Sequence, residues 1–324
     1  MRRRALGRSG IEVSVLALGT MTFGWSADEE ASFAIMSEAL DRGIDFFDTA
    51  DIYSRWSDRS HAGKSEEIIG RWLAEDPSRR NRIVLATKVR GPMSEDPADQ
   101  GLRREHVTKS VEGSLRRLRT DRIDLYQSHW WDPDAPQEET LRAYEELVRA
   151  GKVRAIGCSN FEATQIEEGL AISARLGGPR YESVQPHYNL LERRFEKSVR
   201  ALCLHEGLGV IPYSPLAGGF LTGKYRRGAE APPGSRGAHS QRIGAYLADD
   251  RAWDLIDRLD HLAHKNHATI AQIALSWLLS APSVTSAIIG ANDVAQLRDL
   301  LPAAEIELGT EDFAILDTAT AFAI

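Results

Sequence analysis

Short apolar, β-rich runs alternate with amphipathic helical stretches along the whole chain, and this rhythm limits the possible folds more than any other feature. The runs are Val15–Leu18, Asp45–Phe47, Ile83–Thr87, Ile123–Gln127, Val153–Gly157, Glu182–Gln185, Gly209–Pro212 and Ser286–Ile289. They are brief and nearly continuously apolar, as strands buried on both faces are. Between them, Val107, Val111, Leu115 and Leu118 recur at helical spacing, as do Leu141, Tyr144, Leu147 and Val148, and then Leu255, Leu259 and Leu262. Gly43 and Gly151 read as helix stops, each followed at once by the next run. Eight such units predict an α/β chain closed into a (β/α)8 TIM barrel, and 324 residues suit one barrel domain over the whole length. The competing architecture is an open doubly wound sheet, but no G-x-G-x-x-G follows any run to support it.

Leu6-Gly7-Arg8-Ser9-Gly10-Ile11 reads as the turn of an N-terminal β-hairpin, placed to plug the barrel floor. Residues 217–250 are rich in Gly, Pro, Ser and Arg and break the rhythm. They read as a long βα loop over the mouth, with the character of a lid. Irregular stretches at 54–64 and 90–102 also follow strands and belong to the same C-terminal face.

Hydrophobic residues make up 42% of the chain, enough for a large core, and the net charge of −7 argues against nucleic acid or a polybasic membrane contact. Cys158 and Cys203 form no disulfide framework and suit a reducing cytosol. Met1-Arg2-Arg3-Arg4 looks like the start of an export signal. The apolar stretch behind it is short and closes on Gly19, so a cytoplasmic protein is expected. The run Ile273–Leu279 is far too short to span a bilayer.

Residues at the C-terminal ends of barrel strands share one rim. Asp48, Lys88 and His129 end three consecutive runs, and Tyr53 lies in the loop after the first of them. Free tyrosine has a pKa of about 10 and is a poor acid near neutrality. A neighbouring Lys88 is expected to lower it, with Asp48 holding Lys88 charged and oriented. His129 would hydrogen-bond a substrate oxygen. Together they make a proton donor and an oxyanion pocket for a carbonyl becoming an alcohol. No side chain donates hydride, so a cofactor must.

On these residues the chain resembles the aldo-keto reductase superfamily, in its bacterial NADPH-dependent form, from the first strand to the eighth. Asp48 in Asp48-Thr49-Ala50, Tyr53, Lys88 in Thr87-Lys88, and His129 fall on the family's catalytic tetrad in order and spacing. Gly157-Cys158-Ser159-Asn160-Phe161 looks like its G-x-S-N segment. The resemblance implies that Ser159 and Asn160 hold the nicotinamide carboxamide, helped by Gln185. It implies that Tyr213 stacks on the nicotinamide ring and that Ser214, Leu216 and Gly218 bind the pyrophosphate. After the last strand the family often shows G-x-R-x-x-x-Q-x-x-x-N. Here Gly290 and Gln296 are kept, but Asn292 stands at the arginine that meets the 2′-phosphate, and Leu300 at the asparagine that meets adenine. A neutral amide does not replace a bidentate guanidinium. The departure leaves NADPH as the expected cofactor with NADH possible, unless Arg298 supplies the clamp. Asp293 would itself repel a phosphate there.

Other motifs carry less. Gly218-Gly219-Phe220-Leu221-Thr222-Gly223-Lys224 fits G-x-x-x-x-G-K, but Tyr225 follows where a P-loop needs Ser or Thr, so an NTPase is disfavoured. Gly63-Lys64-Ser65 is weaker still. His261, His264 and His267 wind around a helix and suit a solvated face better than a metal site, and no metal is expected. Cys158 reads as a small buried filler. Trp25, Trp56, Trp130 and Trp131 follow strand ends and are candidates to wall a substrate pocket, and Arg55, Arg59 and Arg90 to attract an anion. The expected activity is reduction of a small-molecule aldehyde or ketone, its identity set by loops. The alternative is a cofactor-binding regulatory module like the potassium-channel β-subunits. No membrane or nucleic-acid partner is expected, and the oligomeric state is left open.

Overall fold

The computed structural model describes residues 1–57, 60–238 and 240–323. After a hairpin of β1 (Arg3–Ala5) and β2 (Glu12–Ser14) come eight parallel strands. These are β3 (Leu16–Gly19), β4 (Phe46–Asp48), β5 (Val84–Val89), β6 (Ile123–Ser128), β7 (Val153–Ser159), β8 (Tyr181–Gln185), β9 (Gly209–Val210) and β10 (Ala287–Ile289). Their order is β10-β3-β4-β5-β6-β7-β8-β9. The two ends meet: Val210 bridges Val284, and the Ile288 amide donates to the Pro212 carbonyl at 3.0 Å. The fold is a (β/α)8 barrel. Strand β9 stops short of the predicted run, since Pro212 has no amide to extend its ladder.

Each crossover runs through helix. The helices are α1 (Glu29–Asp41), α2 (Lys64–Glu75), α3 (Arg104–Leu118), α4 (Gln137–Arg149), α5 (Ala163–Leu176), α6 (Val199–Glu206), α7 (Gln241–Leu247), α8 (Asp250–Lys265), α9 (Ile270–Ser280), α10 (Val294–Leu300) and α11 (Thr310–Ala319). Asp28 caps α1 by accepting from the Ala31 amide, and Thr269 with Gln272 caps α9 reciprocally. Gly43 and Gly151 end their helices with φ of 81° and 72°, a left-handed turn that suits glycine. The apolar faces of the helices pack on the outside of the barrel wall.

A separate cluster fills the inside. Leu6, Ile11 and Val13 of the hairpin join Phe46, Ala86, Leu125, Ala155 and Ile288 from the strands. The hairpin therefore plugs the floor, and the chemistry is left to the opposite rim.

The expectation of an irregular segment over 217–250 holds only in part. It contains short helical turns at Ala217–Thr222 and Arg236–Ala238, then α7 and the start of α8. Ser240 caps α7 and Asp249 caps α8, and a polar composition had hidden both starts. Phe220 packs on Tyr225, Tyr246 and Trp253 at centroid distances of 6.0, 5.6 and 5.4 Å, which ties the segment to the body. Among the described residues, no helix is long and apolar enough to cross a membrane.

Candidate active site

The four expected tetrad residues meet at the rim. Asp48 is the last residue of β4, Lys88 the last but one of β5, and His129 follows β6. Lys88 Nζ donates to Asp48 Oδ1 at 2.5 Å, to the Thr49 carbonyl at 2.8 Å and to Tyr53 Oη at 3.1 Å. The Tyr53 ring lies edge-on to His129 with centroids 6.0 Å apart. Lys88 is fully buried and Asp48 nearly so. A buried charge of either sign is costly unless paired, so each ion stabilises the other in place.

Burial alone would lower the Lys88 pKa, but Asp48 and Tyr53 outweigh it and the ammonium is held charged. Tyr53 departs from expectation. Burial raises its pKa above the ordinary value, and Lys88 opposes that without reversing it. Sequence reasoning saw the cation and missed the desolvation. His129 is pushed well below its usual value by burial, then by Lys88 and Arg90, so its imidazole is neutral. Its Nδ1 has no hydrogen-bond partner, and its ring stacks on Trp130 at 3.8 Å.

Two residues below the tetrad were not foreseen together. The Gln185 and Gln127 amides both donate to Asp48 Oδ2, at 2.9 and 3.2 Å. Gln185 was expected to face a cofactor. Gln127 was not singled out, although Leu125, Gln127 and His129 share one side of a strand at spacing two.

The predicted cofactor residues line the adjoining rim. Ser159 Oγ donates to the Gln185 carbonyl at 2.8 Å, and Asn160 Nδ2 reaches the His129 carbonyl and Ser159 Oγ, each at 3.0 Å. Tyr213 Oη donates to Asn160 Oδ1 at 2.8 Å, and its ring stacks on His187 at 5.1 Å. Ser214, Leu216 and Gly218 follow in a turn where Ser214 and Ala217 hold left-handed φ of 54° and 50°. Gly218 and Gly219 continue it at 69° and 101°. A Cβ on Gly219 would lie 3.0 Å from Lys224 Nζ. Bare backbone and an ammonium thus share one spot, which fits a phosphate-bearing cofactor and explains the P-loop-like spelling without a P-loop.

The far end is different. Gly290 follows β10. Asn292 accepts from Ser26 Oγ at 2.7 Å, and its amide donates to Gln296 Oε1 at 3.1 Å. Asp293 caps α10 by accepting from the Gln296 amide. Leu300 is buried. Arg298 is committed elsewhere: it grips Glu38 of α1 with two bonds of 2.8 Å and, with Arg42, holds that carboxyl down to about 2. Arg236, unremarked in the sequence, lies 5.4 Å over the Trp25 ring with no acidic partner among the described residues. Burial lowers its pKa.

At the mouth, Trp25 and Trp56 meet edge to face at 5.9 Å, and Trp56 meets Tyr53 at the same distance. Both tryptophans are exposed, at 43% and 45%. Trp131 turns away and packs on Phe161. Arg55 pairs with Glu95. Arg90 keeps a buried Nε without a partner, and Arg59 lies outside the described residues. Cys158 and Cys203 are buried, with thiols pushed up by burial, and His261, His264 and His267 are exposed.

The chain is similar to known proteins over nearly its whole length. The model of the Aldo/keto reductase family matches residues 15–321. An uncharacterized oxidoreductase of Bacillus subtilis, YrpG, is 42% identical over 96% of this chain and 94% of its own. The protein tas of Escherichia coli is 33% identical over 98% and 97%. A probable voltage-gated potassium channel subunit beta of Arabidopsis thaliana is 35% identical over 94% and 92%. The chain belongs to the aldo/keto reductase family and is an NAD(P)H-dependent oxidoreductase.

Proposed function

We propose that the chain reduces an aldehyde or ketone to an alcohol with NADPH, and that Tyr53 gives the proton. The observation that carries the reading is Lys88 Nζ, which holds Asp48 at 2.5 Å and Tyr53 at 3.1 Å. A carbonyl oxygen beside Tyr53 and the neutral His129 would meet a phenol and an imidazole as donors. As the oxygen gains negative charge, Lys88 stabilises the tyrosinate left behind. When bound, the nicotinamide supplies the hydride. Ser159, Asn160 and Gln185 would hold its carboxamide and Tyr213 its ring face. Ser214, Leu216 and Gly218 would take the pyrophosphate beside Lys224. Gly290, Asn292 and Gln296 border the adenosine end, where Arg236 replaces the family's usual arginine as partner of a 2′-phosphate. Trp25, Trp56 and Trp130 wall the substrate. The protein would work in the cytoplasm.

The test is a panel of aldehydes and ketones, assayed with NADPH and NADH, on the native protein and on Tyr53→Phe. Loss of the phenol should cost about 10²–10⁴-fold in turnover while cofactor binding stays nearly intact. Wild-type turnover in Tyr53→Phe would remove it from the mechanism. Tight cofactor binding with negligible turnover across the panel would favour a regulatory module, as the name of the Arabidopsis relative invites.

A further inference from the structure

Arg90 stands between the two hydrogen-bond donors of the site. Before it, the Val89 carbonyl accepts from the His129 amide at 2.9 Å. After it, Gly91 is pressed onto Ile52, the neighbour of Tyr53: a Cβ there would lie 2.2 Å from Ile52 Cγ2. The Gly101 amide donates to the Arg90 carbonyl at 2.9 Å and pins the backbone. Its φ is 123°, a conformation that glycine adopts freely and a side chain rarely. Arginine at such a position is held against local preference, and strain of this kind gathers at functional sites.

The guanidinium is half in and half out. Its Nε is enclosed without a partner, whereas the two terminal nitrogens are not enclosed. Arg90 has no hydrogen bond or ion pair from its side chain among the described residues. The carboxylates of the flanking loops are engaged: Glu95 holds Arg55, and Asp132 accepts from the Leu102 and Asp134 amides. Lys88 is balanced by Asp48, and burial, then Lys88 and Arg90, keep His129 neutral. Arg90 is therefore a cation without a counter-charge beside the reacting end of the site. We propose that Arg90 sets substrate class: the carbonyl compound carries a carboxylate or phosphate, which the terminal nitrogens of Arg90 clasp while its carbonyl oxygen meets Tyr53 and His129. A planar fork suits either anion. The proposal rests on the reductase reading above.

The test compares charged and neutral twins. Straight-chain aldehydes ending in a carboxylate, over a short series of lengths, are set against the same chains ending in methyl. Glyceraldehyde 3-phosphate is set against glyceraldehyde. The ratio of kcat/KM, charged over neutral, is measured with NADPH and with NADH in the native protein, Arg90→Met and Arg90→Gly. Arg90→Met keeps an apolar stem without the charge. Arg90→Gly suits the backbone angle better than any side chain, so a folding failure of the first variant leaves the second to decide. The native ratio should exceed about ten in at least one series, the order expected for a charge-assisted hydrogen bond, and should shrink as salt is added. Either variant should lower that ratio about tenfold or more, chiefly through KM of the charged twin. Because a ratio is read, a general loss of activity does not imitate the effect. The series in which it falls tells carboxylate from phosphate. A native ratio near one in every series, or the same ratio in native and variant proteins, overturns the proposal. A native protein that reduces none of these aldehydes with either cofactor instead overturns the reductase reading, and the proposal with it.

Discussion

At the scale of single residues, the site depends on which of two opposing effects wins. Tyr53 is a weaker acid than free tyrosine because burial outweighs the attraction of Lys88. Removing Lys88 should therefore move the phenol further up. Alcohol oxidation, the reverse reaction, needs the phenolate as base, so in Lys88→Met its pH profile should shift to higher pH. A pH series of the oxidation rate checks this, and an unchanged profile in a still-active variant would count against Lys88 acting by charge. The identities of the four residues were legible because each follows an apolar run and strand ends share a rim. The sign of the Tyr53 shift was not, because desolvation depends on what covers the ring. Trp56 and His129 both lie against it, and neither contact follows from spacing along the chain.

At the scale of elements, the strands were legible and their inward faces only partly so. All eight runs became strands, since each is a short apolar stretch bounded by turn chemistry. Gln127 escaped notice because a polar residue inside β6 looks like noise until alternation is applied to Leu125 and His129 on either side. The segment after β10 was legible as a departure from the family pattern. Its resolution lies in contacts between distant elements: Ser26 holds Asn292, and Glu38 of α1 holds Arg298. With both positions engaged, Arg236, which has no acidic partner among the described residues, is a guanidinium left available near Trp25. Arg236→Met should weaken NADPH binding more than NADH binding, and Asn292→Arg should strengthen it in the same selective way. A charge-assisted hydrogen bond is worth roughly 1.5–3 kcal/mol, which makes a tenfold change in selectivity the natural expectation. Dissociation constants for both cofactors in both variants decide the matter. If Arg236→Met weakens the two cofactors equally, the 2′-phosphate is held elsewhere.

At the scale of the whole molecule, the barrel places its titratable groups so that stability depends on pH. His129 is buried neutral, His106 has its pKa lowered by burial against the pull of Asp99, and His187 is pushed down to about 4 by burial and then by Arg242. An unfolded histidine titrates near 6.5, so between about pH 6.5 and 4 the unfolded chain takes up protons that the native His187 refuses. Stability is lost as pH falls through that window. Asp51 and Glu182 act in the opposite sense, because burial raises their pKa values and the native state holds protons that the unfolded chain has released. The net slope is thus a sum of opposed terms, and a single histidine is best isolated by difference. His187 is faced by Glu192 at 3.8 Å and Asn189 at 3.4 Å, with Arg194 and Arg242 repelling a second positive charge. In His187→Gln the fall in unfolding free energy from pH 7 to pH 5 should be smaller than in the native protein by on the order of 1–2 kcal/mol. The change must appear in the difference between the two pH values, since replacing a ring stacked on Tyr213 also alters stability at any one pH. Urea unfolding of both proteins at pH 7 and pH 5 supplies the four numbers. Equal drops would mean that His187 titrates alike in the folded and unfolded states, and that its place beneath Tyr213 is open to water.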